Sequence, residues 1–317
     1  MKQQLSAGPL GPVAGSRVLV TGGDGLIGAQ VVRLLSELGA DVTSFDQNAQ
    51  EATSAGYPPD CSRLTGSVTD RDAVQKAVAG HDAVVHLAGL AGLDRGSPED
   101  IYAANALGTF VVMEAAARAG VVKLVYASSI NASGLPLNSH PVLPTRYPFD
   151  EDQPIDITDA YSLSKHANEA AARALSRRNG LALTGLRYPL VRDITAAGGT
   201  AFARHIRRAL YDDPRRQACE GWTYLDVRDA AAATLAALTH DTPAAPAVLV
   251  AAPRTYLRQQ TEDALRRFAP TVPREFVPDR VVPVRLDRAE SLLEFHATVF
   301  LEDLDPDLLA DLDELTA

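Results

Sequence analysis

Cysteine is scarce in this 317-residue chain, with only Cys61 and Cys219 present. That number excludes a disulfide framework or a cysteine-rich metal site. Nowhere do His, Cys and acidic residues fall at metal-ligand spacing, so no metal is expected. Positive charge is short as well: 30 Lys and Arg against 40 Asp and Glu leave a net charge of −10. Nucleic acids and anionic membranes require a concentrated basic surface, so neither is an expected partner. No apolar run approaches the roughly 18 residues of a membrane span. Met1 to Ser16 lack the apolar core of a signal peptide and read as a flexible tail. A cytoplasmic protein is expected.

Hydrophobic residues make up 46% and charged residues 22%, enough apolar side chain for a real core. The length allows one large α/β domain or a domain with a small lobe. Apolar runs at Arg17–Val20, Asp41–Asp46, Ala83–Leu87, Val122–Tyr126 and Leu181–Leu186 read as buried strands. Amphipathic helices are predicted between them, over Leu26–Leu38, Arg71–Ala79, Pro98–Ala119 and Tyr161–Arg178. Buried strands alternating with helices imply a parallel sheet covered on both faces, and right-handed crossovers make it a doubly wound, Rossmann-type sheet. Gly134 to Thr158, rich in Pro and Asp, reads as a functional loop. After about residue 198 the rhythm breaks, with helices near Ala201–Tyr211, Val227–Thr239 and Glu262–Phe268. Residues 17–197 are expected to carry the nucleotide site, and residues 198–317 a mainly substrate-binding lobe interleaved with the last strands.

The first strand runs into Thr21-Gly22-Gly23-Asp24-Gly25-Leu26-Ile27-Gly28, which opens a helix. Gly22, Gly25 and Gly28 permit a tight turn, close approach to a pyrophosphate and close helix–strand packing. The free N–H groups of the helix start then face the phosphates. Asp46 ends the second strand, where an acid holds the adenosine ribose hydroxyls. No Arg or Lys follows it closely, so NAD is expected over NADP. A solvated loop residue is the other reading of Asp46.

Tyr161 and Lys165 lie four residues apart, one above the other on a helix face. A cation beside a phenol stabilises the phenolate. Together with Ser128-Ser129, these residues make the chain resemble the extended short-chain dehydrogenase/reductase family, the NAD-dependent epimerase/dehydratase group. The resemblance runs from about Arg17 to Asp303. Its landmarks include the glycine turn, His86-Leu87-Ala88-Gly89, Asn105-Ala106-Leu107-Gly108-Thr109, Tyr126-Ala127-Ser128-Ser129 and Leu186-Arg187-Tyr188-Pro189. Tyr224-Leu225-Asp226-Val227-Arg228-Asp229 and the Leu286 to Phe295 segment continue it. The resemblance implies that Tyr161 is the general acid/base, that Lys165 lowers its pKa and holds the nicotinamide ribose, and that Ser129 hydrogen-bonds the reacting oxygen. It implies cofactor contacts from Gly22, Gly25, Leu26, Ile27 and Gly28, and from Asp46, Ser67 and Val68. Further contacts are implied from Leu87, Ala88, Gly89, Asn105, Lys165, Tyr188 and Pro189. Asn105 is equally readable as a packing residue. In relatives the two alanine-rich helices pair across a dimer, so a homodimer is implied.

Three departures narrow the function. Family dehydratases carry an acid just after the active Ser, where this chain has Ile130-Asn131, so elimination is disfavoured. Nucleotide-sugar enzymes place an Arg where this chain has Glu220-Gly221-Trp222-Thr223; Arg204 is a candidate substitute. Ser67 stands where many relatives have an Asp near the adenine. Asn131, Arg192 and Trp222 are candidate substrate residues, Arg192 for a carboxylate or phosphate. Trp222 is also readable as packing, and His140 as substrate contact or solvated loop. The expectation is a hydride-transferring dehydrogenase acting on a secondary alcohol or ketone of a sugar or sugar acid. A sugar epimerase with tightly held NAD is the alternative, and a non-catalytic NAD-binding sensor or scaffold a remote one.

Overall fold

The computed structural model describes residues 8–47, 58–140, 142–212, 214–243 and 245–304. Its strands are β1 (Arg17–Thr21), β2 (Asp41–Asp46), β3 (Ser62–Thr65), β4 (Ala83–His86), β5 (Lys123–Ser129), β6 (Ala182–Tyr188), β7 (Leu190–Arg192), β8 (Tyr224–Asp226) and β9 (Ala247–Leu249). Seven of them form one parallel sheet in the order β3-β2-β1-β4-β5-β6-β9, while β7 and β8 pair separately. The helices are α1 (Leu26–Glu37), α2 (Arg71–Val78), α3 (Pro98–Tyr102), α4 (Gly108–Ala119), α5 (Ala160–Asn179), α6 (Thr200–Asp212), α7 (Pro214–Cys219), α8 (Val227–Thr239), α9 (Thr261–Phe268) and α10 (Asp287–Leu293). None of the described helices is long and apolar enough to cross a membrane.

Alternation along each strand divides the core between the two faces of the sheet. Val18, Val20, Val42 and Val85 meet Val31, Val32 and Leu35 of α1 and the small Ala230, Ala233 and Ala237 of α8. Leu19, Phe45, Val84 and Leu124 meet Val74 of α2, Val112 and Met113 of α4, and Ala172 and Leu175 of α5. Both faces are covered, which is why the strands read as continuous apolar runs. The predicted doubly wound sheet is therefore the observed one.

Several details differ from the sequence reading. The edge strand β3 went unread because its Ser-Arg-Leu-Thr sequence is polar and mostly exposed. Short β9 lies beyond the regular alternation, yet it pairs with β6 and completes the sheet, while α8 packs on α1. The helix expected over Pro98–Ala119 is interrupted by a π-helical turn, Ala103–Leu107. The described part of the expected flexible tail is packed. The Gly8 N–H donates to the Thr239 carbonyl at 2.8 Å, and Leu10 and Val13 rest on the core. Residues 1–7 lie outside the described residues.

The proline-rich loop docks on the C-terminal segment. Tyr147 and Phe149 exchange backbone hydrogen bonds with Pro273, Glu275, Pro283 and Arg285, and the Tyr147 hydroxyl donates to the Ala218 carbonyl. This holds the two irregular regions against each other.

Candidate active site

The glycine turn is shaped by close approaches. Gly22 has φ +71°, and a Cβ there would lie 2.5 Å from the Ala88 nitrogen. A Cβ on Gly28 would lie 2.0 Å from the Gly22 carbonyl oxygen. Only glycine fits either position. Helix α1 starts after Gly25 with no side-chain cap and no acid in its first turn. The first N–H groups, Leu26 and Ile27 included, are left for an external acceptor, and the helix dipole favours an anion there. A dinucleotide diphosphate fits this donor set.

Asp46 closes the other side. Its carboxylate accepts the Asp24 N–H at 3.1 Å and the Gln47 N–H at 2.7 Å. Gln47 in turn donates to the Ser67 hydroxyl at 3.1 Å, and Val68 packs where a Cβ on Gly108 would intrude. Sequence reasoning missed Arg63. Parallel register sets it beside Ser44, and its guanidinium grips the Asp24 carboxylate at 2.7 and 2.9 Å. Arg63 is thus already engaged by an acid.

The floor is a chain of oriented hydrogen bonds. Thr109 Oγ1 donates to the Asn105 carbonyl, so it must accept from His86 Nε2, 2.9 Å away. His86 Nδ1 is then an acceptor for the Thr21 hydroxyl at 2.7 Å. Burial, with Lys165 adding to it, lowers the His86 pKa to about 3, so the ring stays neutral. Leu87 and Ala88 follow, bonded to Thr21. Asn105 clamps the next turn with both ends of its amide: Oδ1 accepts the Leu90 N–H at 2.7 Å and Nδ2 donates to the Leu90 carbonyl at 3.0 Å. Gly89 leaves room for that amide. Asn105 thereby holds that loop in shape.

At the carboxyl end of β5, Ser129 meets the start of α5. The helix is capped by Asp159, which accepts from the Ser162 N–H at 2.7 Å and sets the orientation of Tyr161. Ser129 Oγ accepts the Asn131 N–H at 3.1 Å, which leaves its own proton to turn toward the Tyr161 phenol. Burial raises the Tyr161 phenol above its ordinary value, while the Ser129 hydroxyl pulls it down. Lys165 Nζ sits 5.6 Å from the Tyr161 ring centroid and donates to the Ala127 carbonyl at 3.0 Å. The ammonium lies over the phenol ring and makes its hydrogen bond to the strand. Burial lowers its pKa to about 8.

Other candidates are placed differently. The Tyr188 side chain is buried and bonded to Thr234, so only its backbone, with Pro189, borders the site. Trp222 is fully buried against Phe268 and packs rather than lining a cavity. His140 pairs with Asp156 at 3.0 Å in the exposed loop. Asn131 is buried and its Oδ1 has no partner among the described residues. Arg192 lines a cavity with residues of α6.

A pH dependence follows from the buried ammonium groups. Burial also lowers Lys123 to about 8. Against about 10.4 in the unfolded chain, the folded state binds fewer protons between these values, so stability rises with pH there. Lys165→Met and Lys123→Met should each flatten the rise in Tm between about pH 8 and pH 10. An unchanged slope in both variants would mean that neither ammonium is depressed.

The chain is similar to known proteins. dTDP-glucose 4,6-dehydratase of Streptomyces niveus is 32% identical over 179 residues, covering 52% of this chain and 51% of that protein. Human 3 beta-hydroxysteroid dehydrogenase type 7 is 38% identical over 146 residues, covering 44% and 38%. The chain spans about half the length of the first curated relatives it matches, 50–56%. The structure of UDP-glucose 4-epimerase from Thermotoga maritima with UDP-glucose superposes with a TM-score of 0.66 at 22% identity, covering 95% of this chain and 99% of that one. The model of the NAD dependent epimerase/dehydratase family matches residues 18–252, from β1 to just past β9. With the glycine turn, the Asn105 clamp and the Ser129–Tyr161–Lys165 cluster inside that span, the chain belongs to the NAD dependent epimerase/dehydratase family, a group of the extended short-chain dehydrogenases/reductases.

Proposed function

We propose that this protein is an NAD-dependent oxidoreductase that moves a hydride at a secondary hydroxyl or carbonyl carbon of a sugar-like small molecule. The convergence of Ser129, Tyr161 and Lys165 at the carboxyl end of β5 carries this reading. NAD supplies the hydride acceptor or donor. Ser129 holds the reacting oxygen, and Tyr161 takes or returns its proton. Lys165, anchored on Ala127, favours the phenolate and faces the ribose side. The glycine turn, Asp46, Ser67, Val68, Leu87 to Gly89 and the backbone of Tyr188 and Pro189 line the dinucleotide, with Asn105 bracing them. Residues 17–197 hold the cofactor and the catalytic groups. Residues 198–317 contribute mainly to the substrate side, though α8 and β9 return to the sheet.

A dehydrogenase is favoured over a dehydratase because Ile130 and Asn131 stand where elimination needs an acid. Exposed Leu107, Phe110 and Leu163 on the helical face support a homodimer through α4 and α5. Both cysteines are free, which suits a reducing cytoplasm.

The dehydrogenase and epimerase readings differ in how they treat cofactor. Denaturing freshly purified protein and identifying the released nucleotide separates them. A dehydrogenase exchanges cofactor every turnover and should release little. Near-stoichiometric NAD would instead favour an epimerase, which regenerates it in place.

A further inference from the structure

A basic cavity lies at the carboxyl edge of β7, in a protein whose net charge is −10. It encloses about 240 Å³ and is lined by Arg192, Arg204, His205 and Arg208, with Asp193, Ala201 and Phe202. Arg204 and Arg208 are one helical turn apart on α6, so their guanidinium groups share a face. Phe202 and Ile206 on the same helix are buried in the core and hold that face in place. Arg192 comes from the strand opposite, and its one hydrogen bond is to the carbonyl of Val191. Among the described residues, none of these three arginines has an acidic partner. Asp193, the acid on the wall, is occupied by the N–H and hydroxyl of Thr195. Asp226, in register with Arg192 on β8, is taken by Arg228 at 2.7 Å.

The clustering is felt by its members. His205 is held below its ordinary pKa by burial first and then by Arg192, Arg208 and Arg216. Like charges gathered around a cavity without counter-ions destabilise a fold, and an arriving anion relieves them.

The chain and its charges link the cavity to the reacting centre. β7 continues directly from β6, whose Tyr188 is the register partner of Ser129. Arg216, whose charge reaches His205, is 3.9 Å from Glu220, and the charge of Glu220 acts on Tyr161.

We infer that Arg192, Arg204, His205 and Arg208 bind a compact anionic group, a carboxylate or a phosphate, on a sugar-sized substrate whose hydroxyl carbon reaches Tyr161. This rests on the oxidoreductase reading above. At about 240 Å³ the cavity falls below the roughly 300–1,000 Å³ of sites that enclose drug-sized ligands. It suits a monosaccharide acid or phosphate rather than a nucleotide sugar. Guanidinium groups offer paired donors to either oxyanion.

The test is calorimetric titration of the full chain in saturating NAD with glucuronate, glucose 6-phosphate, glucose and UDP-glucose. At least one of the two charged monosaccharides should bind roughly tenfold or more tightly than glucose, and which one does identifies the group. Arg204→Gln and Arg208→Gln, both at exposed positions, should each weaken that binding by about tenfold, with glucose and NAD affinity unchanged. Charged sugars no tighter than glucose, or affinities indifferent to both variants, would overturn the inference. So would UDP-glucose as the ligand that depends on both arginines. Tyr161→Phe is titrated and assayed in parallel. If the parent binds the charged sugar but reduces no NAD with it, the oxidoreductase reading fails while a charged-sugar site still stands; if the parent turns over and Tyr161→Phe loses turnover but keeps the anion affinity, both hold.

Discussion

Tyr161→Phe should lower turnover by about 10²–10⁴-fold, the range carried by a positioned proton-transfer group. Affinity for NAD should stay within about twofold of the parent, because the change removes one oxygen and leaves the ring packed under Lys165. The loss should appear in kcat and kcat/KM together, since the proton moves only as the hydride does. Steady-state rates of NADH formation, paired with NAD titration, provide the readout. A variant that binds NAD normally and turns over at the parental rate would remove Tyr161 from the chemistry. A non-catalytic sensor would likewise keep both its binding and its output.

Glu169→Ala should cost about 3–5 kcal/mol of stability, because it strands a buried guanidinium. Arg187 makes two hydrogen bonds to the Glu169 carboxylate, both at 2.8 Å, and a third to the Glu151 carbonyl at 2.8 Å. Ser128 adds a fourth contact, donating to Glu169 at 2.7 Å. The pair joins α5 to β6 directly behind Ser129, with side chains only 2% and 10% exposed. For a chain of this size the midpoint of thermal unfolding should fall by roughly 4–8 °C. Replacing both partners, Glu169→Ala with Arg187→Met, should cost less than Glu169→Ala alone, since no charge is left unpaired. A single variant as stable as the parent would show that the pair contributes nothing. Burial alone would raise the Glu169 carboxyl, but the hydrogen bonds and charge of Arg187 bring it below its ordinary value. The folded state therefore binds fewer protons than the unfolded one. The stabilisation is present above the unfolded value of about 4.3 and is lost as pH falls through the folded one.

Tyr161, Lys165 and Glu169 recur every four residues on α5, and that spacing alone placed the first two on one helix face. Glu169 has the same spacing, but nothing local announces its partner, which lies on β6. Asn105 was readable equally as site or packing, and its two hydrogen bonds to Leu90 were not legible in the sequence. Trp222 was a candidate pocket wall until its complete burial against Phe268 made it core. Arg204 stood out as a substitute cation and Arg192 as an anion candidate, yet their meeting around one cavity was invisible.

From the chain alone came the alternation of strand and helix, the glycine turn, the acid at the end of β2 and the helix carrying tyrosine and lysine. Each depends on neighbours within about one or two turns, and periodicity and steric rules act at that range. Strand order, the tautomer of His86, the engagement of Arg63 by Asp24, the burial that moves Tyr161 and Lys165 in opposite directions, and the basic cavity beside β7 were decided by tertiary structure. Those features join groups far apart in the chain, and their energies depend on distance and dielectric, which exist only once the sheet has paired and water has been excluded.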